Sequence, residues 1–165
     1  NEFSDFARMP KPLLKKNNLN NVIKENISLI SKLDNNIKIN LINHLSKEVL
    51  ISFDLEQMNR LFFNLIKNSL ESIQEKSKKD SKIDKNIDIE IRQRRDYINI
   101  NIIDTGVGFK NKTTKELIKP YFTTKEKGTG LGLSIVDKII SDHNGSIQFL
   151  NHKKGAKIQI ILPNK

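Results

Sequence analysis

Two short runs, Ile87-Asp88-Ile89-Glu90-Ile91-Arg92 and Tyr97-Ile98-Asn99-Ile100-Asn101-Ile102, alternate apolar and polar residues and stand four residues apart. A strand points successive side chains to opposite faces, so each run has one isoleucine face to bury and one polar face for water. The short gap makes them an antiparallel pair. A pair with one apolar side is most economically closed by helices packed against that side.

The chain supplies those helices. Asn17 to Asn21 offers cap-type residues, and Val22, Ile23, Ile27, Ile30 and Leu33 follow at helical spacing. Asp54 caps a longer helix with Leu55, Met58, Leu61, Phe62, Leu65, Ile66, Leu70 and Ile73 on one face. It is expected to run out in a solvated charged loop, Glu75 to Lys85. A third helix is expected from Leu131 to Asp142, closed by the Asn144-Gly145 turn. Ile37–Leu41, Val49–Phe53, Ser146–Leu150 and Ala156–Leu162 read as further strands. The fold class is therefore an α/β (α+β) two-layer sandwich, a mixed sheet of about five strands with three helices on one face. Residues 105–129 show little periodicity beyond a short helix at Thr114 to Ile118. Stretches that long are usually functional lids or disordered. Phe3 and Phe6 share one face of a helix tail that Pro10 and Pro12 stop. Residues 1–12 thus read as the end of a helix and a linker, and 13–165 as one domain.

Composition narrows the function. The chain has 165 residues, enough for one domain with a real core. No apolar run approaches the ~18 residues of a membrane span. Cysteine is absent, which excludes disulfides and thiolate metal sites and fits a reducing, cytoplasmic setting. It begins Asn1-Glu2-Phe3, neither an initiator methionine nor a signal peptide, so a fragment of something longer is expected. The net charge of +10 invites a nucleic-acid reading. Against it, the lysines are scattered, aromatics are few and no recognition motif accompanies them. Attraction of a polyanionic nucleotide is a simpler consequence of the same charge.

Four segments could do chemistry. Asn64 and Asn68 are four apart on one helical face, although asparagine is a poor helix former. An amide oxygen suits Mg²⁺ shared with phosphates, but such residues also simply face water or bond locally. Asp104 ends a strand before Thr105-Gly106-Val107-Gly108. It is either a turn former or an acceptor for an exocyclic amine, with the glycines leaving room for a flat base. Phe122, Thr123, Thr124 and Lys125 offer hydroxyls and a cation for phosphate, or buried anchors for a loop. Last, Gly128-Thr129-Gly130-Leu131-Gly132-Leu133 runs into a helix. Unpaired N–H groups there could seat a phosphate, or the glycines could be an ordinary connection.

The order of these four segments resembles the four nucleotide-binding boxes of the GHKL superfamily, which includes sensor histidine kinases, DNA gyrase B and MutL. The likeness extends from about Leu19 to Pro163. It implies the Bergerat ATP-binding fold with ATP and Mg²⁺ as cofactors. Asp104 would receive the adenine amine, with Gly106 and Gly108 lining the base pocket. Asn68 would ligate Mg²⁺ and Asn64 would lie near metal or phosphate. Phe122 to Lys125 would form the lid. Gly128, Thr129, Gly130, Leu131, Gly132 and Leu133 would hold the phosphates. Asn64, Asn68 and Lys125 would attend the transfer step.

Hydrolytic members and serine kinases of the superfamily carry a glutamate at the position of Asn64. An amide cannot act as a general base, which favours the histidine-kinase branch. Phe3-Ser4-Asp5-Phe6-Ala7-Arg8-Met9-Pro10 and Asn68-Ser69-Leu70-Glu71-Ser72-Ile73 resemble the nitrogen-regulation sensor kinases, notably the NtrY-like group, whose second motif reads Asn-Ala-x-Glu-Ala-Ile. The resemblance implies a phospho-acceptor histidine on a dimerisation domain ahead of residue 1, a homodimeric full-length protein and a response-regulator partner. It implies no nucleic-acid partner and no direct membrane contact by this fragment, although parents of this group are usually membrane-anchored. His44, His143 and His152 stand in the wrong places to be the acceptor.

Overall fold

The computed structural model describes residues 8–45, 48–120 and 132–165. In chain order they form β1 (Lys15–Asn18), α1 (Leu19–Ser31), β2 (Lys38–Asn43), β3 (Leu50–Phe53), α2 (Leu55–Lys79), β4 (Asn86–Gln93), β5 (Tyr97–Asp104), α3 (Thr114–Leu117), α4 (Gly132–Asp142), β6 (Ser146–His152) and β7 (Gly155–Pro163). Five strands make one sheet in the order β2-β4-β5-β7-β6. β2 runs parallel to β4 and every other neighbouring pair is antiparallel, so the sheet is mixed as expected.

Register turns the alternation into layers. Ile91, Ile100, Ile160 and Ile147 lie in one row across four strands, and Ile89, Ile102, Ile158 and Phe149 in the next. These side chains are buried together with Val22, Ile23 and Ile30 of α1, Leu61, Phe62, Leu65, Ile66 and Ile73 of α2, and Ile135, Val136, Ile139 and Ile140 of α4. Each fully buried isoleucine contributes about 1.5–3 kcal/mol. Asp88, Glu90, Asn99 and Asn101 alternate onto the opposite face.

Two local expectations need correcting. Lys15–Asn18 is a strand, not merely a polar helix opening, and pairs antiparallel with β3 in a separate two-stranded sheet. Backbone pairing holds it, so its side chains carry no apolar period. Helix α2 continues to Lys79 instead of ending near Glu75. Gln, Glu and Lys are good helix formers, and Lys76, Lys78 and Lys79 complement the negative C-terminal end.

Asp54 fixes where α2 begins. Its Oδ1 accepts Gln57 N–H at 3.0 Å as the helix cap, and its Oδ2 accepts Leu13 N–H at 2.8 Å. Gln57 Nε2 also donates to the Pro10 carbonyl. The described part of the expected linker is therefore fastened to the start of α2. Among the described residues no helix is long and apolar enough to cross a membrane.

Candidate functional site

Strand β5 delivers Asp104 to the sheet interior, where the residue is 2 % exposed. Its Oδ1 accepts Gly106 N–H at 2.9 Å, closing a tight turn. The turn-former and ligand readings of Asp104 are thus compatible, because one oxygen shapes the turn and the carboxylate has a second. Burial raises the Asp104 pKa above the ordinary aspartate value. The N–H of Gly106, the Ser69 hydroxyl, the N–H of Ala156 and the charge of Lys76 pull the other way without reversing it. Ser69 is itself buried, and its Oγ has no hydrogen-bond partner among the described residues. A buried carboxylate thus stands near a buried hydroxyl that has no partner at hydrogen-bonding geometry.

Helix α2 forms the facing wall. Asn64, Asn68 and Ser72 recur every four residues on one helical face, and both asparagines are half-buried. Ser72 meets the turn directly, its Oγ accepting Val107 N–H at 2.9 Å. A Cβ at Gly106 would stand 2.2 Å from that oxygen and 2.8 Å from the Ser72 backbone, so only glycine fits there. The turn that follows Asp104 therefore docks on the helix that carries Asn64 and Asn68.

The far side of the turn is fastened to the sheet edge. Gly108 has φ +74°, the left-handed region that favours glycine. The Asn151 side chain on β6 accepts Phe109 N–H at 2.9 Å and donates to the Lys110 carbonyl. Phe109 packs edge-on against Phe149 with ring centroids 5.4 Å apart. Thr114, at the start of α3, accepts Phe149 N–H at 2.9 Å and covers the edge of β6. Thr105 joins the turn to β4 by accepting Asn86 N–H and donating to the Asp84 carbonyl. Sequence reasoning missed Ser72, Asn151 and Thr114 as props of the site. The signal available was a polar side chain on an otherwise apolar helix face or sheet edge.

At the phosphate end only part of the expected segment is described. Gly132 opens α4, and a Cβ there would meet no atom of the described residues within 4 Å. Packing against the described residues therefore does not require this glycine. Leu133 is half-buried against the core. Phe122, Thr123, Thr124 and Lys125, and Gly128, Thr129, Gly130 and Leu131, lie outside the described residues.

None of the histidines belongs to the cleft. His44 pairs with Glu90 at 3.1 Å. His152 accepts Lys154 N–H in the β6–β7 turn. His143 is buried, with Nε2 accepting Asp54 N–H at 3.1 Å and Nδ1 2.7 Å from the Ile139 carbonyl. Nδ1 is then the ring nitrogen that donates, to that carbonyl.

Residues 53–165 match the family described as histidine kinase-, DNA gyrase B- and HSP90-like ATPases. The chain is 32 % identical over 163 residues to the nitrogen regulation protein NtrY of Azorhizobium caulinodans, covering 98 % of this chain and 21 % of that protein. It is 35 % identical over 118 residues to sporulation kinase A of Bacillus subtilis, covering 71 % of this chain and 18 % of that protein. It thus spans about a fifth of the length of these relatives. Among solved structures, a nucleotide-free catalytic domain of the histidine kinase ThkA superposes with a TM-score of 0.78 at 25 % identity, covering 92 % of this chain and 98 % of that one. On the sequence match and the shared architecture, this chain belongs to the histidine kinase-, DNA gyrase B- and HSP90-like ATPase family.

Proposed function

We propose that this chain is the ATP-binding catalytic part of a sensor histidine kinase. It would pass the γ-phosphoryl group of ATP to a histidine on a dimerisation domain outside the 165 residues. One arrangement carries the reading: a buried Asp104 at a strand end, held by a glycine turn that docks on the helix bearing Asn64 and Asn68.

In this reading the second oxygen of Asp104 accepts the adenine amine, and Gly106 and Gly108 leave space for the ring. Mg²⁺ would be held by the Asn68 amide oxygen together with phosphates. Mg²⁺ and ATP bring the phosphoryl group and its charge neutralisation; the protein contributes position. Asn64 and Asn68 would orient the phosphates from α2, and Gly132 at the start of α4 would offer its N–H. Lys125, Thr123 and Thr124 would close over them with Phe122. The amide at Asn64 supplies no base, which fits an acceptor imidazole that is already nucleophilic and disfavours hydrolysis. A response regulator as the next acceptor, a homodimeric parent and its membrane anchorage belong to the same proposal. The crystal structure of ThkA with the response regulator TrrA, 21 % identical with a TM-score of 0.80, bears here on the fold alone.

The test is a titration with a fluorescent ATP analogue, with and without Mg²⁺, followed by trans-phosphorylation of a separate histidine-bearing fragment. Saturable Mg²⁺-dependent binding and acid-labile phosphate on the acceptor are expected. Steady-state hydrolysis without acceptor phosphorylation would instead favour an ATPase.

A further inference from the structure

We propose that Ser72 is a positioning residue, a hydroxyl strut that sets the gap between the base-reading turn and the helix carrying Asn64 and Asn68. The inference rests on the reading of the cleft as an ATP site. Three observations lead to it. Ser72 Oγ accepts Val107 N–H at 2.9 Å, joining residues 35 apart in sequence. Gly106 is pressed so closely on Ser72 that a Cβ would fall 2.2 Å from Oγ and 2.7 Å from Cβ, so the two segments have no slack. The turn is also pinned from the other side, because Gly106 N–H is held by Asp104 Oδ1.

Asp104 Oδ1 and Ser72 Oγ therefore hold consecutive N–H groups of one turn, one from the strand and one from the helix. Removing the helix bond leaves Val107 N–H without its acceptor and frees the turn to move relative to Asn68, one helical turn before Ser72.

The experiment compares the full chain with Ser72→Ala and Ser72→Cys, using a fluorescent ATP analogue with Mg²⁺ and amide hydrogen exchange at Val107. Loss of one such bond is expected to weaken Kd by about fivefold in the alanine variant. Full binding stoichiometry and faster Val107 exchange should accompany it. Cysteine, a near-isostere with a weak acceptor, should fall between. Unchanged Kd in both variants overturns the proposal. So does a smaller binding-competent fraction at wild-type Kd, which is what a merely structural role gives. If the wild-type chain itself binds no analogue, the kinase reading fails separately. Val107 exchange then judges the strut, and unaltered exchange in Ser72→Ala refutes it.

Discussion

Gly155 lies so close to Asp104 that a methyl group at position 155 would stand 2.5 Å from the Asp104 carbonyl oxygen and 2.8 Å from the Gly106 nitrogen. The β6–β7 turn is thus part of the wall behind the base-reading turn, although it is fifty residues later in the chain. Both contacts are backbone atoms that cannot swing aside. Gly155→Ala should destabilise the fold by about 1–3 kcal/mol, the usual cost of overpacking. It should also weaken nucleotide binding by shifting Gly106. Urea unfolding and an ATP-analogue titration on the same sample check both. An unchanged midpoint would mean that the two turns are not in rigid contact.

Gly132 makes the opposite case. Among the described residues no atom lies within 4 Å of the place its Cβ would take, and it sits at the first position of α4. Gly132→Ala should stabilise the unliganded fold by up to about 1 kcal/mol, because alanine is the better helix former. If the glycine serves close approach of phosphate, the same substitution should weaken ATP more than adenosine. Equal effects on the two ligands would remove Gly132 from the phosphate end.

Asp104→Asn separates folding from recognition. Asparagine keeps an oxygen for Gly106 N–H but removes a buried charge. Burial raises the Asp104 pKa, so the folded chain holds this proton more tightly than the unfolded chain. Between the ordinary aspartate value and the raised one, stability from this group falls as pH rises. Above the raised value the ionised carboxylate burdens the fold in full; below the ordinary value the burden is gone. At neutral pH the variant should therefore melt no lower than wild type, and its melting curve should lose this acid-range dependence. Its affinity for ATP should drop by about 1–3 kcal/mol, the scale of a charged hydrogen-bond partner lost. Wild-type affinity would refute the role of Asp104 in base recognition.

What the sequence disclosed and what it hid follows from range. The isoleucine alternation of β4 and β5 and the apolar face of α2 are local periods, visible within a dozen residues, and they were read at nearly their true bounds. Asn64, Asn68, Asp104, Gly106 and Gly108 stand out in the sequence because they lie in short motifs of recognisable order. Lys15–Asn18 could not be read as a strand, since its ladder to β3 uses backbone atoms and leaves Lys-Lys-Asn-Asn without a pattern. Ser72, Asn151, Gly155 and His143 were missed as supports for a common reason. Each acts on one distant segment of chain, and such a long-range contact leaves no periodic trace.

His143 tests that long-range wiring. It bridges the end of α4 to the Asp54 N–H at the start of α2, the two helices expected to flank the triphosphate. His143→Leu fills similar space but leaves the Asp54 N–H without its acceptor, which should cost about 1–3 kcal/mol of stability. His143→Gln, whose amide oxygen can also accept, should recover part of the loss. Equal melting temperatures for the wild type and the leucine variant would show the bond to be energetically idle.

Asn68→Ala addresses the metal. Alanine favours the helix more than asparagine by several tenths of a kcal/mol, so α2 should persist. Without the amide oxygen, the gain in ATP affinity on adding Mg²⁺ should shrink, while affinity in EDTA should stay near the wild-type value. The quantity to measure is the ratio of the two dissociation constants, because any general loosening of the cleft divides out of it. A ratio equal to that of the wild type would place the ion elsewhere. If Asn64→Ala then lowered the ratio, the metal-holding oxygen would lie one helical turn earlier, at the position where hydrolytic relatives carry their glutamate.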